Sequence, residues 1–204
     1  MNLHQKFKPK FYVGVSGHRD IDGCDKEIYM SHIKAVLLRL CRDHPGYEII
    51  LVTPLAEGAD RLVVYVAQEM GMRYEVWLPM PLEMYVQDFD DESLDEFMQL
   101  FYGARASDVT PLCEGCTYDN IAAPGKWRSH QYRAMGYTLV KRCDHMIFLF
   151  DKNDAIINFE IKRGGTADVL HYAKECQKAY DIIPVKRKEA NDAKRCREVS
   201  CHLS

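Results

Sequence analysis

Four short apolar runs, spaced by helical patterns, constrain this chain more than any other feature. They are Phe11–Val15, Tyr47–Val52, Arg73–Leu78 and His145–Phe150, reading "FYVGV", "YEIILV", "RYEVWL" and "HMIFLF". Apolar, β-branched and aromatic residues dominate them without strict polar alternation, which is the signature of strands covered on both faces. Ile28–Cys41 carries Ile33, Val36, Leu37 and Leu40 at helical spacing, and Ala56–Met70 places Ala59, Leu62, Val63 and Val66 on one face before Gly71 stops it. The spacing predicts further helices over Asp90–Ala104, Arg128–Arg142 and Thr166–Ala179, and short strands at "SDVTPL" and Ile182–Val185. Cys113–Trp127 and Asp151–Gly165 read as loops. Alternation of this kind implies an α/β fold, a three-layer α/β/α Rossmann-like sandwich with a mostly parallel sheet.

The 204 residues suit one such domain over 11–186, with an N-terminal extension at 1–10 and a charged tail at 187–204. "MNLHQKFKPK" lacks the apolar centre of a signal peptide, and no apolar run approaches the roughly 18 residues that span a bilayer. The expectation is a cytoplasmic protein without membrane contact. A net charge of −3 offers no global basic field, which argues against nucleic acid as a partner. The eight cysteines are expected to be free thiols; Cys113 and Cys116 form the one CxxC, but paired ligands for zinc are absent nearby, so no metal and no cofactor are expected.

In an open parallel sheet, ligands bind beyond the carboxyl ends of the strands. Three strand exits stand out there. Ser16-Gly17-His18-Arg19 follows the first apolar run; Gly17 permits a tight turn, and Ser16, His18 and Arg19 are groups that meet an anion. Glu57-Gly58-Ala59-Asp60-Arg61 opens the second helix, where Arg61 suits phosphate and Asp60 or Glu57 suits hydroxyls, although acids at a helix start also serve as caps. Gly164-Gly165-Thr166 opens another helix, whose free N–H groups attract phosphate, although the same residues also make an ordinary turn and cap. Asp168, in that first turn, favours the helix dipole but would oppose an adjacent phosphate. Neither GxGxxG, nor GxxxxGK[ST], nor GxSxG is present. Trp77, Trp127, Tyr85 and Tyr132 are candidate stacking partners that serve equally well in packing.

"VGVSGHRDI", "TPLAEGADRLVVYVAQEMG", "WLPMPLEMYVQDF", "YRAMGYTLVKRCDHMIFLFD" and "RGGTADVLHYA" occur in the order seen in SLOG-type (SMF/DprA–LOG) Rossmann-like proteins, over about residues 11–186. The chain resembles that superfamily. The resemblance implies a site for a nucleotide or nucleotide-derived small molecule built from Gly17, His18, Arg19, Gly58, Asp60, Arg61, Gly164, Gly165 and Thr166, and it implies a homodimer; Ser16, at the first strand exit, and Arg133, on the helix that precedes the strand ending at Asp151, are further candidate contacts by position. LOG enzymes in the superfamily hydrolyse nucleoside monophosphates with a PGGxGTxxE motif. Here that run is Arg163-Gly164-Gly165-Thr166-Ala167-Asp168-Val169, with no Glu, so an N-glycosidic hydrolase is the alternative reading, with Asp168, Asp60 and Glu57 as its carboxylates. A DNA-handling role, as in DprA-like relatives, is opposed by the acidic pI of about 6.2.

Overall fold

The computed structural model describes residues 8–151 and 165–188. Among the described residues six strands form one parallel sheet: β1 (Lys10–Gly17), β2 (Glu48–Thr53), β3 (Arg73–Leu78), β4 (Ala106–Val109), β5 (His145–Phe150) and β6 (Ala179–Pro184), in the order β4-β3-β2-β1-β5-β6. Helices α1 (Lys26–Asp43), α2 (Ala59–Glu69), α3 (Leu82–Tyr85), α4 (Asp91–Gly103), α5 (Tyr118–Ile121), α6 (Lys126–Arg142) and α7 (Thr166–Glu175) connect them. This is the expected α/β Rossmann-like sandwich.

The unbroken apolar strands serve two cores. Val13, Val15, Leu51, Val76, Ile147 and Leu149 face α1, α2 and α4, where Ile33, Leu37, Val63, Val66, Phe97 and Leu100 meet them. Val52, Trp77, Met146, Phe148 and Phe150 point the other way, onto Met135 and Leu139 of α6 and Val169 and Ala173 of α7. The side-chain period of two therefore deals apolar groups to both faces.

The chain first builds outward from β1 to β4 and then returns to lay β5 on β1's free side. Val13 pairs with His145, and Gly17 with Leu149. The strand order reverses between β1 and β5, which makes that gap the topological switch point.

Five elements differ most from the sequence expectation. α7 ends at Glu175 and β6 begins at Ala179, because all six residues of β5 find partners, from His145 with Ala179 to Phe150 with Pro184. α3, entered through Pro81, was not anticipated, and the Cys113–Trp127 loop holds α5, opened by a capping box between Thr117 and Asn120. β4 stops at Val109, partway through the "SDVTPL" run, and is an exposed edge strand. Among the described residues no helix is long and apolar enough to cross a membrane.

Candidate functional site

A cleft of about 1000 Å³ opens over the switch point. Its floor and walls include Ser16, Gly17, His18 and Arg19 after β1, Phe150 at the end of β5, Asp60 on α2, Tyr85 on α3, Gly125, Arg128 and Ser129 at the start of α6, and Gly165, Thr166 and Ala167 at the start of α7.

The β1 exit and the α2 start are joined back to back. A Cβ on Gly17 would lie 2.3 Å from the Ala59 Cβ, and one on Gly58 would lie 2.3 Å from the Arg19 carbonyl oxygen. Gly58 also holds φ +70°, a conformation that suits glycine. The Ala59 N–H donates to the His18 carbonyl at 3.1 Å, and the His18 N–H donates to the Leu149 carbonyl at 3.2 Å. Held this way, the His18 ring stacks on Phe150 with centroids 5.2 Å apart and planes 23° from parallel. Arg19 keeps 41% of its side chain exposed, lies over the Tyr132 ring at 5.7 Å, and has only a 4.0 Å approach to Glu57.

Helices α2, α6 and α7 all begin at this edge, and none has a side-chain cap on its first turn. At α6 and α7 the first-turn residues line the cleft, so backbone N–H groups are presented where an anion would gain most.

Buried polar groups form the floor. Asp60 accepts the Ala56 N–H at 3.1 Å; burial pushes its carboxyl up to about 7, against the pull of that bond, Thr53 and the charges of Arg19 and Arg61. Tyr85 is fully buried, and its hydroxyl has no hydrogen-bond partner among the described residues. Burial raises that hydroxyl's pKa, so it remains a donor. Asp88 takes the Tyr132 hydroxyl and lies 2.9 Å from Arg128. Arg128, itself buried, also donates to the Ile121 and Met84 carbonyls, at 2.6 and 2.8 Å. Arg187 grips Asp20 at 2.8 Å on the rim.

The sequence-predicted residues separate into two groups. Ser16, Gly17, His18, Arg19, Asp60, Gly165 and Thr166 are brought together; Gly164 lies outside the described residues. Gly58 closes the junction behind the cleft. Arg61 turns away, pairing with Glu96 and donating to the Leu55 carbonyl at 3.2 Å, and lines a separate pocket of about 160 Å³. Glu57 accepts from Ser93 at 2.6 Å and does not line the cleft. Arg133 and Asp168 meet each other at 3.0 Å across α6 and α7, again outside the lining. Asp168 and Glu57 are thus engaged elsewhere, which leaves Asp60 alone of the three candidate carboxylates in the cleft. Of the proposed stacking residues, Tyr85 and Tyr132 line it, whereas Trp77 is core and Trp127 packs on Gly115. Phe150, Arg128, Ser129, Gly125 and Arg187 were not anticipated; an arginine and a serine just after "APGK" at a helix start were the available signal.

No protein-family model matches the sequence, and no curated protein matches it. Solved structures do. The X-ray structure of DNA processing protein A (DprA) from Streptococcus pneumoniae matches with a TM-score of 0.52 at 16% identity, over 96% of this chain and 57% of that one. The chain has the DprA fold. DprA from Helicobacter pylori, whose structure concerns its single-stranded DNA binding mode, matches with a TM-score of 0.51 at 14% identity, over 94% of this chain and 74% of that one. The chain therefore spans little more than half the length of the Streptococcus pneumoniae DprA. At these identities the matches show a shared α/β Rossmann-like fold; the relation to LOG enzymes gains no support from them.

The DprA likeness overturns two expectations. A nucleotide-derived small-molecule ligand, with nucleoside monophosphate hydrolysis as its alternative, does not stand, because the neighbours are DNA processing proteins and the Helicobacter pylori DprA binds single-stranded DNA. The exclusion of nucleic acid on net charge does not stand either. Net charge averages over the whole surface, whereas the cleft gathers Arg19, Arg128, Arg187 and two helix N-termini at one edge.

Proposed function

We propose that this chain binds single-stranded nucleic acid, DNA in the first instance, at the carboxyl edge of its sheet. The observation that carries the reading is the pairing, in one cleft, of uncapped helix N-termini with the half-buried rings of His18 and Tyr132 and the exposed guanidinium groups of Arg19 and Arg187. A backbone phosphate sits at Gly165–Thr166 on α7, with Arg19 as the mobile cation beside it. One base stacks against the His18–Phe150 pair and another against Tyr132, which requires bases freed from a duplex. Ser16 and Gly17 supply the close backbone approach under that strand. The fold shared with a protein that binds single-stranded DNA supports the same reading. The chain acts in the cytoplasm on this reading.

Fluorescence anisotropy with a labelled oligothymidylate of about 16 nucleotides tests it. Binding is expected to weaken with salt, with a log–log slope of about −0.7 per phosphate contacted. Arg19→Ala should lower affinity and reduce the slope by about 0.7 while leaving the melting temperature unchanged. Absence of any anisotropy change on a folded sample at low salt, or equal binding of a duplex of the same length, overturns the proposal.

A further inference from the structure

Cys113 and Cys116 lie outside the cleft lining, and the nucleic-acid reading makes no use of them. Their sulfurs are 3.1 Å apart, in a turn closed by the Cys116 N–H donating to the Cys113 carbonyl at 2.9 Å. Among the described residues no group of three or more His, Cys, Asp or Glu side chains is placed to hold a metal ion. The turn is tied to α6 at two positions one helical turn apart. The Cys116 thiol donates to the Trp127 carbonyl at 3.4 Å, and the Cys113 N–H donates to Gln131 Oε1 at 2.9 Å. Gln131 in turn donates to the Pro79 carbonyl at 2.6 Å, beyond β3. Between the turn and α6, the Trp127 ring packs on Gly115, 2.7 Å from where a Cβ would stand.

We propose that Cys113 and Cys116 are a redox-active pair that closes to an internal disulfide by exchange with a low-molecular-weight disulfide, and that closure shifts the start of α6. Cys113 is the more exposed of the two and attacks first. Its thiolate displaces one thiol from the small disulfide, giving a mixed disulfide. The Cys116 sulfur, losing its proton, then attacks Cys113 and releases the second small thiol. Two protein thiols are oxidised and one small disulfide is reduced to two thiols. Burial and the neighbouring Cys113 push the Cys116 thiol up to about 11, which suits a resolving rather than an attacking role. Oxidation removes the S–H that donates to Trp127, and the residues one to two positions on either side, Gly125, Arg128 and Ser129, line the cleft.

Both cysteines fall in one tryptic peptide, residues 106–126, and Trp127 is one of two tryptophans. A Trp77→Phe protein exposed to oxidised glutathione, quenched with acid and alkylated, should give that peptide two hydrogens lighter and unalkylated at both positions. Trp127 emission should fall in parallel and recover with dithiothreitol. Cys116→Ser should instead accumulate a stable glutathione adduct on Cys113 without the emission change. A wild-type peptide that remains alkylated at both cysteines, or that carries glutathione without closing, overturns the redox pair. A disulfide that leaves Trp127 emission at the level of Cys113→Ser overturns the coupling to α6. Neither readout depends on nucleic-acid binding.

Discussion

Gly17 and Ala59 touch through a missing side chain: a Cβ built on the glycine would stand 2.3 Å from the Ala59 methyl and 2.9 Å from the Leu149 carbonyl oxygen. That contact sets the distance between β1, α2 and β5, and hence the width of the cleft at its base. Gly17→Ala should therefore cost about 1–3 kcal/mol by overpacking. Thermal melts should show a fall of roughly 2–12 °C. Gly46→Ala, where a Cβ would meet nothing within 4 Å, should change stability by less than about 1 kcal/mol. Equal melting temperatures for the two variants would mean that the junction yields freely and does not set the cleft's width.

Asp60 gives the fold a pH dependence of defined sign. Its carboxyl titrates near 7 in the folded chain against 3.8 normally, chiefly because it is buried. The proton is held more tightly in the folded state, so the stabilisation is complete below pH 3.8 and is lost as pH rises through about 7. Three units correspond to at most about 4 kcal/mol. Asp60→Asn should remove that component, so the melting-temperature difference between variant and wild type should grow in the variant's favour from pH 4 to 8. His145 works in the opposite sense, since burial lowers its pKa, but it contributes equally to both proteins and cancels. Parallel pH profiles would show that Asp60 keeps its charge.

Arg133 and Asp168 form an ion pair between α6 and α7, and neither lines the cleft. Arg133 is one-third exposed, which limits the pair to about 1 kcal/mol. Arg133→Ala should lower the melting temperature by a few degrees and leave oligonucleotide affinity within about twofold. A loss comparable to that of Arg19→Ala would return Arg133 to the site.

Tyr85 presents a fully buried hydroxyl with no hydrogen-bond partner among the described residues, on the floor of the cleft. Deleting an unsatisfied buried donor costs little and can stabilise by about 1 kcal/mol. Tyr85→Phe should therefore melt no lower than wild type, while its affinity for the oligonucleotide drops by about fivefold, the worth of one hydrogen bond. Lower stability with unchanged affinity would mean that the hydroxyl serves the fold.

The fold was legible because both faces of each central strand are covered. "YEIILV" and "HMIFLF" carry no polar alternation, whereas a strand with one wet face would show it. The cleft lining was legible where backbone geometry dominates, at Gly17 and at Gly165–Thr166. At Gly58-Ala59-Asp60-Arg61 the residues part, Asp60 to this cleft and Arg61 to a second pocket. Successive helical residues point about 100° apart. Asp60 therefore enters the cleft while Arg61, one step on, leaves it for Glu96, and composition alone cannot tell them apart. The pairing of Asp88 with Arg128 was hidden for a different reason. It joins segments 40 residues apart, and helical spacing marks the start of α6 without showing that its arginine reaches a short 3-10 turn.

All six strands run the same way, so α1, α2, α6 and α7, which follow strands, start at the same rim of the sheet. Their peptide units are aligned along one axis, positive toward that rim. A molecule that is weakly acidic overall is therefore polarised end to end, and a passing polyanion exerts a torque on it before any contact forms. On the nucleic-acid reading, encounters at low ionic strength are biased toward the carboxyl rim.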